Sequence, residues 1–558
     1  MKLSDLLNKS LELHAKGDLT NARKYYQAVL KIDPNCIVAL GWLGTIEAQN
    51  KNFLIAQNLL EQALKLDENH SSFLLNYANL LQEIGNYEKA LLVYENHLSL
   101  ATNAIGLANL AACYINLKNP SQGLISAEKA LLIEPNYADA WCKKGSALSD
   151  LKFYEEALAC LDKALQLRPN YAEAWMNKGN VFQELKQYDE AIVHYDQALK
   201  LKSDYAEAWM NKGNVFQELK QYDEAIVHYD QALKLRPAYI DARWNRSLLL
   251  LLLGHLVQGF QDYEYRWKRK ELVEEGRIRT FIQPLWLGVE SLQGKTILLY
   301  GEQGLGDVIQ FCRYTEKVAN LGAKVILEVP LSLAGLLEGL NGVSQLIIEG
   351  QKLPAFDYQC PLLSLPLAFN TNISSIPGNV PYLKANIDKV LKVSPKLGAK
   401  KRKRIGLVWS SVSAFRYDSK RSLKLEEFVK SLPLESFEYV CLQKELKECD
   451  KDFFKTYRNI KFYGHEINDF QDTAALIENL DLVISTCTSV AHLAGALGKQ
   501  TWVLLSFVPD WRWLLDRDDS PWYPSMKLFR QPALGDWDSV LHKIKADLET
   551  KFNFNEIG

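Results

Sequence analysis

Polar and apolar positions along this chain follow two different rhythms. From residue 3 to about residue 239 the apolar positions recur three and four residues apart, the spacing of one helical face. In the segment 172–201, Trp175, Gly179 and Phe182 form one such stripe, and Ala191, Tyr195 and Ala198 form a second. Two amphipathic helices joined by a short polar turn are predicted. Gly179 lets the partner helix approach closely, and the small-large-small order of the second stripe suits interlocking packing. From Gln293 the rhythm changes. Short apolar runs now alternate with helical patterns: KTILLY (295–300), KVILEV (324–329), SQLIIE (344–349), RIGLVW (404–409), FEYVCL (437–442), DLVIS (481–485) and TWVLL (501–505). Strand–helix alternation of this kind predicts an α/β region with parallel sheets covered on both faces. A polar, Pro- and Lys-rich stretch at 370–402 divides the runs into two sets. Two Rossmann-like halves separated there would leave a cleft at the carboxyl ends of both sheets.

The helical part repeats itself. Segment 172–201 recurs without a change at 206–235, an offset of 34 residues, and the same offset links Tyr137, Tyr171, Tyr205 and Tyr239 and links Trp141, Trp175 and Trp209. A fixed period of this length means stacked helix pairs, each unable to bury its apolar face alone. Pro34, Pro135, Pro169 and Pro237 stand where each second helix must stop. In these residues the sequence resembles the tetratricopeptide repeat family. Read outward in register, seven units run from residue 3 to 239; the first four diverge, keeping Gly44, Ala56 and Ala63 but carrying Gly123 where Ala is usual. A degenerate eighth unit, from Ile240 to about Lys270, reads as a cap that docks on the next domain. The expected layout is a repeat superhelix at 1–239, a capping repeat and linker at 240–290, an N-terminal lobe at 291–385 and a C-terminal lobe at 386–558. The repeats read either as a spacer or as a groove for a protein or peptide. Asn177, Asn180, Asn211 and Asn214, poor helix formers, favour the groove, where they would hydrogen-bond an extended peptide.

Composition narrows the function class. A chain of 558 residues is too long for one core, and 48 % apolar with 24 % charged residues is ordinary for a soluble globular protein. A formal net charge of −2 argues against nucleic acid as a partner, since phosphate contacts need surplus Lys and Arg. Nine Cys are scattered without a CxxC, which reads as reduced thiols in a cytoplasmic protein. The first residues do not read as a signal peptide, and the longest apolar stretch, 248–253, is too short for a bilayer.

Four motifs sit where strands should end. The first, Gly301-Glu-Gln303-Gly304-Leu-Gly306-Asp307, follows a strand and opens a helix. Its glycines permit a tight turn and close approach to a ligand, and Asp307 reads either as a working carboxylate or as a helix cap. The loop is neither a GxGxxG nor a GxxxxGK[ST] motif, so hydride transfer and nucleotide hydrolysis lose their usual support. In the second, Ser485-Thr-Cys487-Thr488-Ser489-Val-Ala-His492, two hydroxyls flank the free N–H groups of a helix start, an anion site suited to a diphosphate. His492 reads as either a ligand contact or a core residue. The third is Trp409-Ser410-Ser411 with a basic stretch through Arg416, Lys420 and Arg421, and the fourth is Leu442-Gln443-Lys444. Cations there would neutralise a leaving diphosphate.

Across about 284–541, GEQGLGDVIQFCRY, CPLLSLPLAF, QDTAALIENLDLVIS, AHLAGALGK and PDWRWLLDRDDSPWYP resemble the glycosyltransferase family that contains the bacterial heptosyltransferases, in the branch where the domain follows tetratricopeptide repeats. A looser likeness is to the intracellular N-acetylglucosaminyl transferases. The resemblance implies a GT-B fold, a nucleotide-sugar donor and inverting transfer that needs no metal or other cofactor. It implies Asp307 as the base for an acceptor hydroxyl, with Thr488, Ser489 and His492 holding the donor. One position departs: Cys487 stands where the related motif has Asp, which argues against a heptose-type donor. The rival reading is a non-catalytic interaction scaffold with a degenerate transferase half. Asp516, Asp518, Asp519, Asp536 and Asp538 read as surface acids, and Trp511, Trp513 and Trp522 as packing residues.

Overall fold

The computed structural model describes residues 2–269, 272, 278–410, 421–456 and 459–552. The chain separates into two compact units, Met1–Ala238 and Tyr239–Gly558. Ser411, Arg416, Lys420 and Lys270 lie outside the described residues.

The first unit is a helical repeat superhelix. Its seven pairs run from Leu3–Ala15 and Leu19–Ile32 to Ala206–Glu218 and Tyr222–Leu235. Within a pair the predicted stripes meet. Ala191, Tyr195 and Ala198 are fully buried, and a Cβ on Gly179 would lie 2.6 Å from Tyr195 Cε1. The aromatic ring thus occupies the space that the missing side chain leaves open. Gly213 and Tyr229 repeat the arrangement at 2.8 Å. Tight turns join the two helices of a pair, with Gly17 and Gly85 in the left-handed region and Lys51, Lys118, Lys152, Lys186 and Lys220 forced into it.

The asparagines bind the array together. Tyr195 Oη lies 2.8 Å from both Asn180 Oδ1 and Gln183 Oε1, which share its one hydroxyl proton. Asn211 Nδ2, one repeat later, donates to the same Asn180 Oδ1 at 2.9 Å. Tyr229 Oη donates to Asn214 Oδ1 at 2.8 Å, and Tyr94, Asn79 and Asn109 build the same ladder earlier. Asn177 corrects the expectation of a groove residue. It is 8 % exposed, and its amide faces Cys142 Sγ at 3.4 Å. Its low helix propensity is offset by contacts between repeats, the same use that Asn180 and Asn211 show.

The second unit opens with the degenerate eighth repeat. Helices Ile240–Leu252 and Leu256–Tyr263 turn at Gly254, φ +85°, and a 3₁₀ turn follows at Glu264–Lys268. Leu251, Leu252, Leu256, Phe260 and Tyr263 belong to one core with Trp286, Ile309, Phe311 and Trp511, and Phe260 meets Trp511 edge-on at 5.6 Å. The leucine run is thus a docking face on the α/β region. Each such side chain contributes about 1.5–3 kcal/mol on burial.

Two parallel sheets follow. The first has β1 (Thr296–Tyr300), β2 (Lys324–Val329), β3 (Val343–Ile348) and β4 (Tyr358–Pro361) in the order β3-β2-β1-β4. The second has β5 (Arg404–Val408), β6 (Glu438–Cys441), β7 (Ile460–Phe462), β8 (Leu482–Thr486), β9 (Thr501–Leu505) and β10 (Met526–Arg530) in the order β10-β9-β8-β5-β6-β7. Every ladder between these strands is parallel. Both sheets are doubly wound, with the order reversing beside β1 in one and beside β5 in the other, and crevices outside the carboxyl ends at such points are where ligands bind in open α/β sheets. Strands β4, β7 and β10 are additional to the sequence reading. The first two are only 4 and 3 residues long, and β10, at a sheet edge, carries Lys527 and Arg530 among its apolar residues.

The ring-over-glycine contact gives a direct test. Gly179→Val drives two methyl groups into the space held by the Tyr195 ring, so urea unfolding of the first unit should show a loss of about 1–3 kcal/mol. Gly179→Ala should lose less. An unchanged midpoint for both variants would show that the close approach carries no stability.

Candidate functional site

Helix Leu305–Phe311 follows β1, and helix Ser489–Ala496 follows β8. The two pack so closely that a Cβ on Gly306 would stand 3.0 Å from His492 Cδ2 and 3.5 Å from Ser489 Cα. This contact joins the loop after β1 to the loop after β8. Asp307 lies at the third position of its helix, not at the cap. Its Oδ2 accepts from the Gly304 N–H at 2.9 Å, so it does satisfy one of the open donors of the helix start. Its Oδ1 accepts from Arg512 Nη2 at 2.6 Å. The capping role and the role in the site are therefore compatible, one per oxygen.

Arg512 is the residue that the motif reading passed over. It lies in the 3₁₀ turn Trp511–Trp513 and is 7 % exposed. Its Nη1 donates to Asp510 Oδ1 and Oδ2 at 2.9 and 3.1 Å, and its guanidinium stacks on Trp511 at 4.2 Å. One cation thus holds two carboxylates. Burial raises the pKa of Asp307 above the ordinary aspartate range, against the opposing pull of Arg512. For Asp510 burial also pushes upward, but the charge and hydrogen bonds of Arg512 outweigh it and hold the carboxyl low. The only sequence signal was Arg512 itself, set between tryptophans in PDWRW.

On the other wall, His492 is 5 % exposed. It stacks on Trp513, with ring centroids 5.3 Å apart and planes at 22°, and its Nδ1 lies 3.0 Å from Tyr523 Oη. Burial, reinforced by the charge of Arg512, lowers its pKa to about 3, so the imidazole is neutral. Cys487 Sγ accepts from Trp513 Nε1 at 3.1 Å, and burial pushes the thiol up to about 11. Thr488 is the N-cap of its helix, but its Oγ1 lies 3.1 Å from Ser485 Oγ and does not cap the helix. Ser489 is the first residue of that helix and is half-buried. The charge of Arg421 reaches both Cys487 and His492.

The loop after β5 needs a correction. Gln443 is 5 % exposed and Ser410 4 %. Gln443 Oε1 accepts from the Trp409 and Ser410 N–H groups at 3.1 and 3.2 Å, and its Nε2 donates to Ser410 Oγ at 3.3 Å. Both side chains are engaged with each other, so they brace the loops after β5 and β6 instead of contacting a donor. Lys444 is exposed, with Nζ 3.3 Å from the Asn468 carbonyl. Gln303 bonds through Nε2 to Tyr263 Oη at 2.9 Å, which ties the first loop to the eighth repeat. Among the described residues no three His, Cys, Asp or Glu side chains gather in a way that could hold a metal ion, and no helix is long and apolar enough to cross a membrane. Asp536 caps helix Trp537–Asp547, and Asp519 pairs with Arg517 at 2.6 Å.

Comparison with known proteins gives the nature of the first unit. The tetratricopeptide repeat pattern matches residues 6–36, 59–91 and 206–239, and a further TPR repeat pattern matches 145–186 and 179–220. The N-terminal unit is a tetratricopeptide repeat array. Such arrays suggest protein or peptide partners. Among curated proteins the chain is similar to Protein FlbA of Caulobacter vibrioides, 26 % identical over 338 residues, covering 54 % of this chain and 54 % of the relative. The chain therefore spans about half the length of the curated relative it matches. Among solved structures it is similar to a tetratricopeptide repeat protein of Parabacteroides merdae, with 19 % identity, TM-score 0.40, and 44 % of this chain and 98 % of that chain covered. It is also similar to the TPR protein TTC0263 of Thermus thermophilus, with 25 % identity, TM-score 0.31 and coverages of 33 % and 100 %. A third is YrrB, described as a TPR protein with an unusual peptide-binding site, with 23 % identity, TM-score 0.23 and coverages of 33 % and 95 %.

Removing the shared cation isolates its role. Arg512→Met leaves Asp307 and Asp510 without their partner, so urea unfolding of the second unit should lose about 3–5 kcal/mol. Asp510 sets the sign of the pH dependence. Its folded pKa is depressed, so its contribution is present above the unfolded pKa and is lost as pH falls through the folded one. Wild type should therefore lose stability below the ordinary aspartate range more steeply than Arg512→Met, and parallel curves would rule out the linkage.

Proposed function

We propose that the second unit is an inverting glycosyltransferase of GT-B type that moves a sugar from a nucleotide sugar to a protein or peptide recruited by the repeats. The observation that carries this reading is the contact of the two loops at the doubly wound switch points. Gly306, next to Asp307 after β1, packs on Ser489 and His492 after β8, and Arg512 joins the Asp307 carboxylate to the turn whose Trp513 stacks on His492. Donor diphosphate would bind at the N–H groups and hydroxyls of that helix start, with Arg421 offsetting its charge. Asp307, partly screened from water and negatively charged beside Arg512, would take the proton of the acceptor hydroxyl as it attacks the anomeric carbon. The neutral His492 would serve as a hydrogen-bonding wall, since its proton affinity is too low for acid catalysis near neutral pH. No step in this scheme calls on a metal.

One observation favours a second reading. Cys487 faces Trp513 where the related motif has an acid, a feature that fits a scaffold whose transferase half has lost its chemistry.

Two measurements separate the readings. Calorimetric titration with a panel of nucleotide sugars should detect binding that weakens at least about tenfold, 1.4 kcal/mol, in Thr488→Ala/Arg421→Ala. With the donor that binds, mass spectrometry should find sugar on an acceptor incubated with wild type. Asp307→Asn should transfer at least about a hundredfold more slowly while binding donor as well, the usual scale for loss of a general base. Equal transfer by both proteins would remove Asp307 from the mechanism, and no binding of any nucleotide sugar would favour the scaffold.

A further inference from the structure

Arg313 is a cation enclosed without an acid. It lies in the 3₁₀ turn Cys312–Tyr314 that follows helix Leu305–Phe311, and it is buried. Its Nε donates to the Gln310 carbonyl at 2.7 Å, and its Nη1 to the Pro377 and Trp522 carbonyls at 3.0 and 2.6 Å. Its Nη2 donates to Tyr382 Oη at 2.8 Å. Among the described residues no carboxylate pairs with it. The guanidinium faces two phenol rings instead, that of Tyr382 at 4.4 Å and that of Tyr523 at 4.6 Å. Tyr523 is fully buried, and its ring fills the space beside Gly495, where a Cβ would lie 2.5 Å from Tyr523 Cδ1. Gly495 stands on the same helix as His492, one turn further on. This packing brings the Tyr523 hydroxyl to the His492 ring, with Oη 3.0 Å from Nδ1.

We propose that Tyr523, polarised by Arg313, fixes His492 as the tautomer with its hydrogen on Nε2, and that this N–H donates to a phosphoryl oxygen of a nucleoside diphosphate at the Thr488–Ser489 helix start. The diphosphate comes from the transferase reading, while the tautomer stands without it. Tyr523 and Arg313 are positioning residues, acting through His492 and not by touching the ligand.

The direction of one hydrogen bond decides the tautomer. The imidazole is neutral, so one of its two nitrogens carries the hydrogen. Nδ1 either accepts from Tyr523 or donates to it. A cation over the ring face draws electron density from the phenol, which makes the hydroxyl a better donor and a poorer acceptor. The hydroxyl of Tyr382, which also neighbours Tyr523, accepts from Arg313 and donates to the Ile309 carbonyl at 2.9 Å. Beside that cation it is a poor second acceptor, so the Tyr523 hydrogen goes to His492 Nδ1. Were Nδ1 the protonated nitrogen, a buried O–H would be left without a good acceptor. With the hydrogen on Nε2 that cost does not arise. Nε2 has no protein partner among the described residues and is not one of the buried atoms left unbonded, so it opens toward solvent. A Cβ on Gly306 would lie 3.7 Å from Nε2 and 3.5 Å from Ser489 Cα, so this nitrogen borders the same glycine as the helix start. A neutral N–H there adds one donor to the free backbone N–H groups of that start.

Nitrogen-15 labelled histidine in the full chain reads the tautomer without any ligand, because bare and protonated ring nitrogens resonate far apart. His492→Gln identifies the signals of this ring. At neutral pH wild type should show Nδ1 bare and Nε2 protonated. Tyr523→Phe keeps the ring beside Gly495 and removes only the hydroxyl, so the Nδ1 signal should move as its bond is lost. A protonated Nδ1 in wild type overturns the proposal, as does an Nδ1 signal that Tyr523→Phe leaves in place. The second readout is calorimetric titration with uridine, guanosine and adenosine diphosphates. For the one that binds, Tyr523→Phe should weaken affinity about three- to tenfold, the scale of one neutral hydrogen bond. In a His492→Gln background, with no imidazole left to orient, Tyr523→Phe should weaken it no further. A tyrosine that merely supported the fold would cost the same factor in both backgrounds. Equal loss in both, or loss in neither, overturns the phosphoryl contact. The expected tautomer in a protein that binds no diphosphate upholds the Tyr523–His492 arrangement and removes the ligand together with the transferase reading.

Discussion

Asp307 and Asp510 lie far apart in sequence and share one guanidinium. A buried carboxylate without a partner is costly, and two that face one another are costlier still. Arg512 relieves both at once by pointing Nη2 at one and Nη1 at the other. That geometry ties the loop after β1 to the turn at Trp511–Trp513, and the rest of the site depends on it. Trp513 in that turn supports the His492 ring and donates to Cys487, and Trp511 packs on Phe260 of the eighth repeat. One short segment therefore orients the acid, the imidazole and the thiol together. The close approach of Gly306 to His492 is the steric counterpart, since a Cβ there would crowd the edge of the imidazole ring.

The repeat unit uses the same combination of close approach and shared polar groups for a different end. Gly179 admits the Tyr195 ring, and the ring's hydroxyl joins Asn180, Gln183 and, through Asn180, Asn211 of the next repeat. Apolar packing fixes the pair, and the amide ladder fixes the stacking of one pair on the next. The eighth repeat keeps the turn at Gly254 and adds a face of leucines and a buried arginine. Its surface is therefore made for the α/β region.

Periodic features were legible in the sequence because period is a local property. The 34-residue spacing, the Gly179–Tyr195 stripes and the seven longer apolar runs need only neighbours in the chain to be read. Strands β4 and β7 were too short to show a pattern, and β10, at an edge, breaks its apolar run with Lys527 and Arg530. Site residues divide along the same line. Asp307, Thr488 and His492 follow strands and open helices, so their location could be read. Asn177, Ser410 and Gln443 were misread because polar type alone does not say whether a partner lies inside the protein. Asn177 faces Cys142, and Gln443 closes on the backbone of Trp409 and Ser410. Arg512 ties the site together through Asp307, 205 residues away in the chain, and no local rule selects it from the other charged residues.

The charge at the centre of the site then follows from competition between burial and pairing. For Asp510, two hydrogen bonds to one guanidinium nitrogen and one to the backbone of Arg512 are enough to overcome burial. Asp307 has a single contact with the same cation and a single backbone donor, and burial prevails. The difference separates two neighbouring aspartates into distinct chemical characters. Asp510 is a fixed counter-ion, while Asp307 keeps a higher proton affinity with its charge still balanced by Arg512. A base needs both properties together: enough affinity to take a proton, and enough stabilisation to be ionised beforehand. Arg512 gives this result because its fork is shared unequally. A lysine, with a point charge and no fixed fork, would not impose that division.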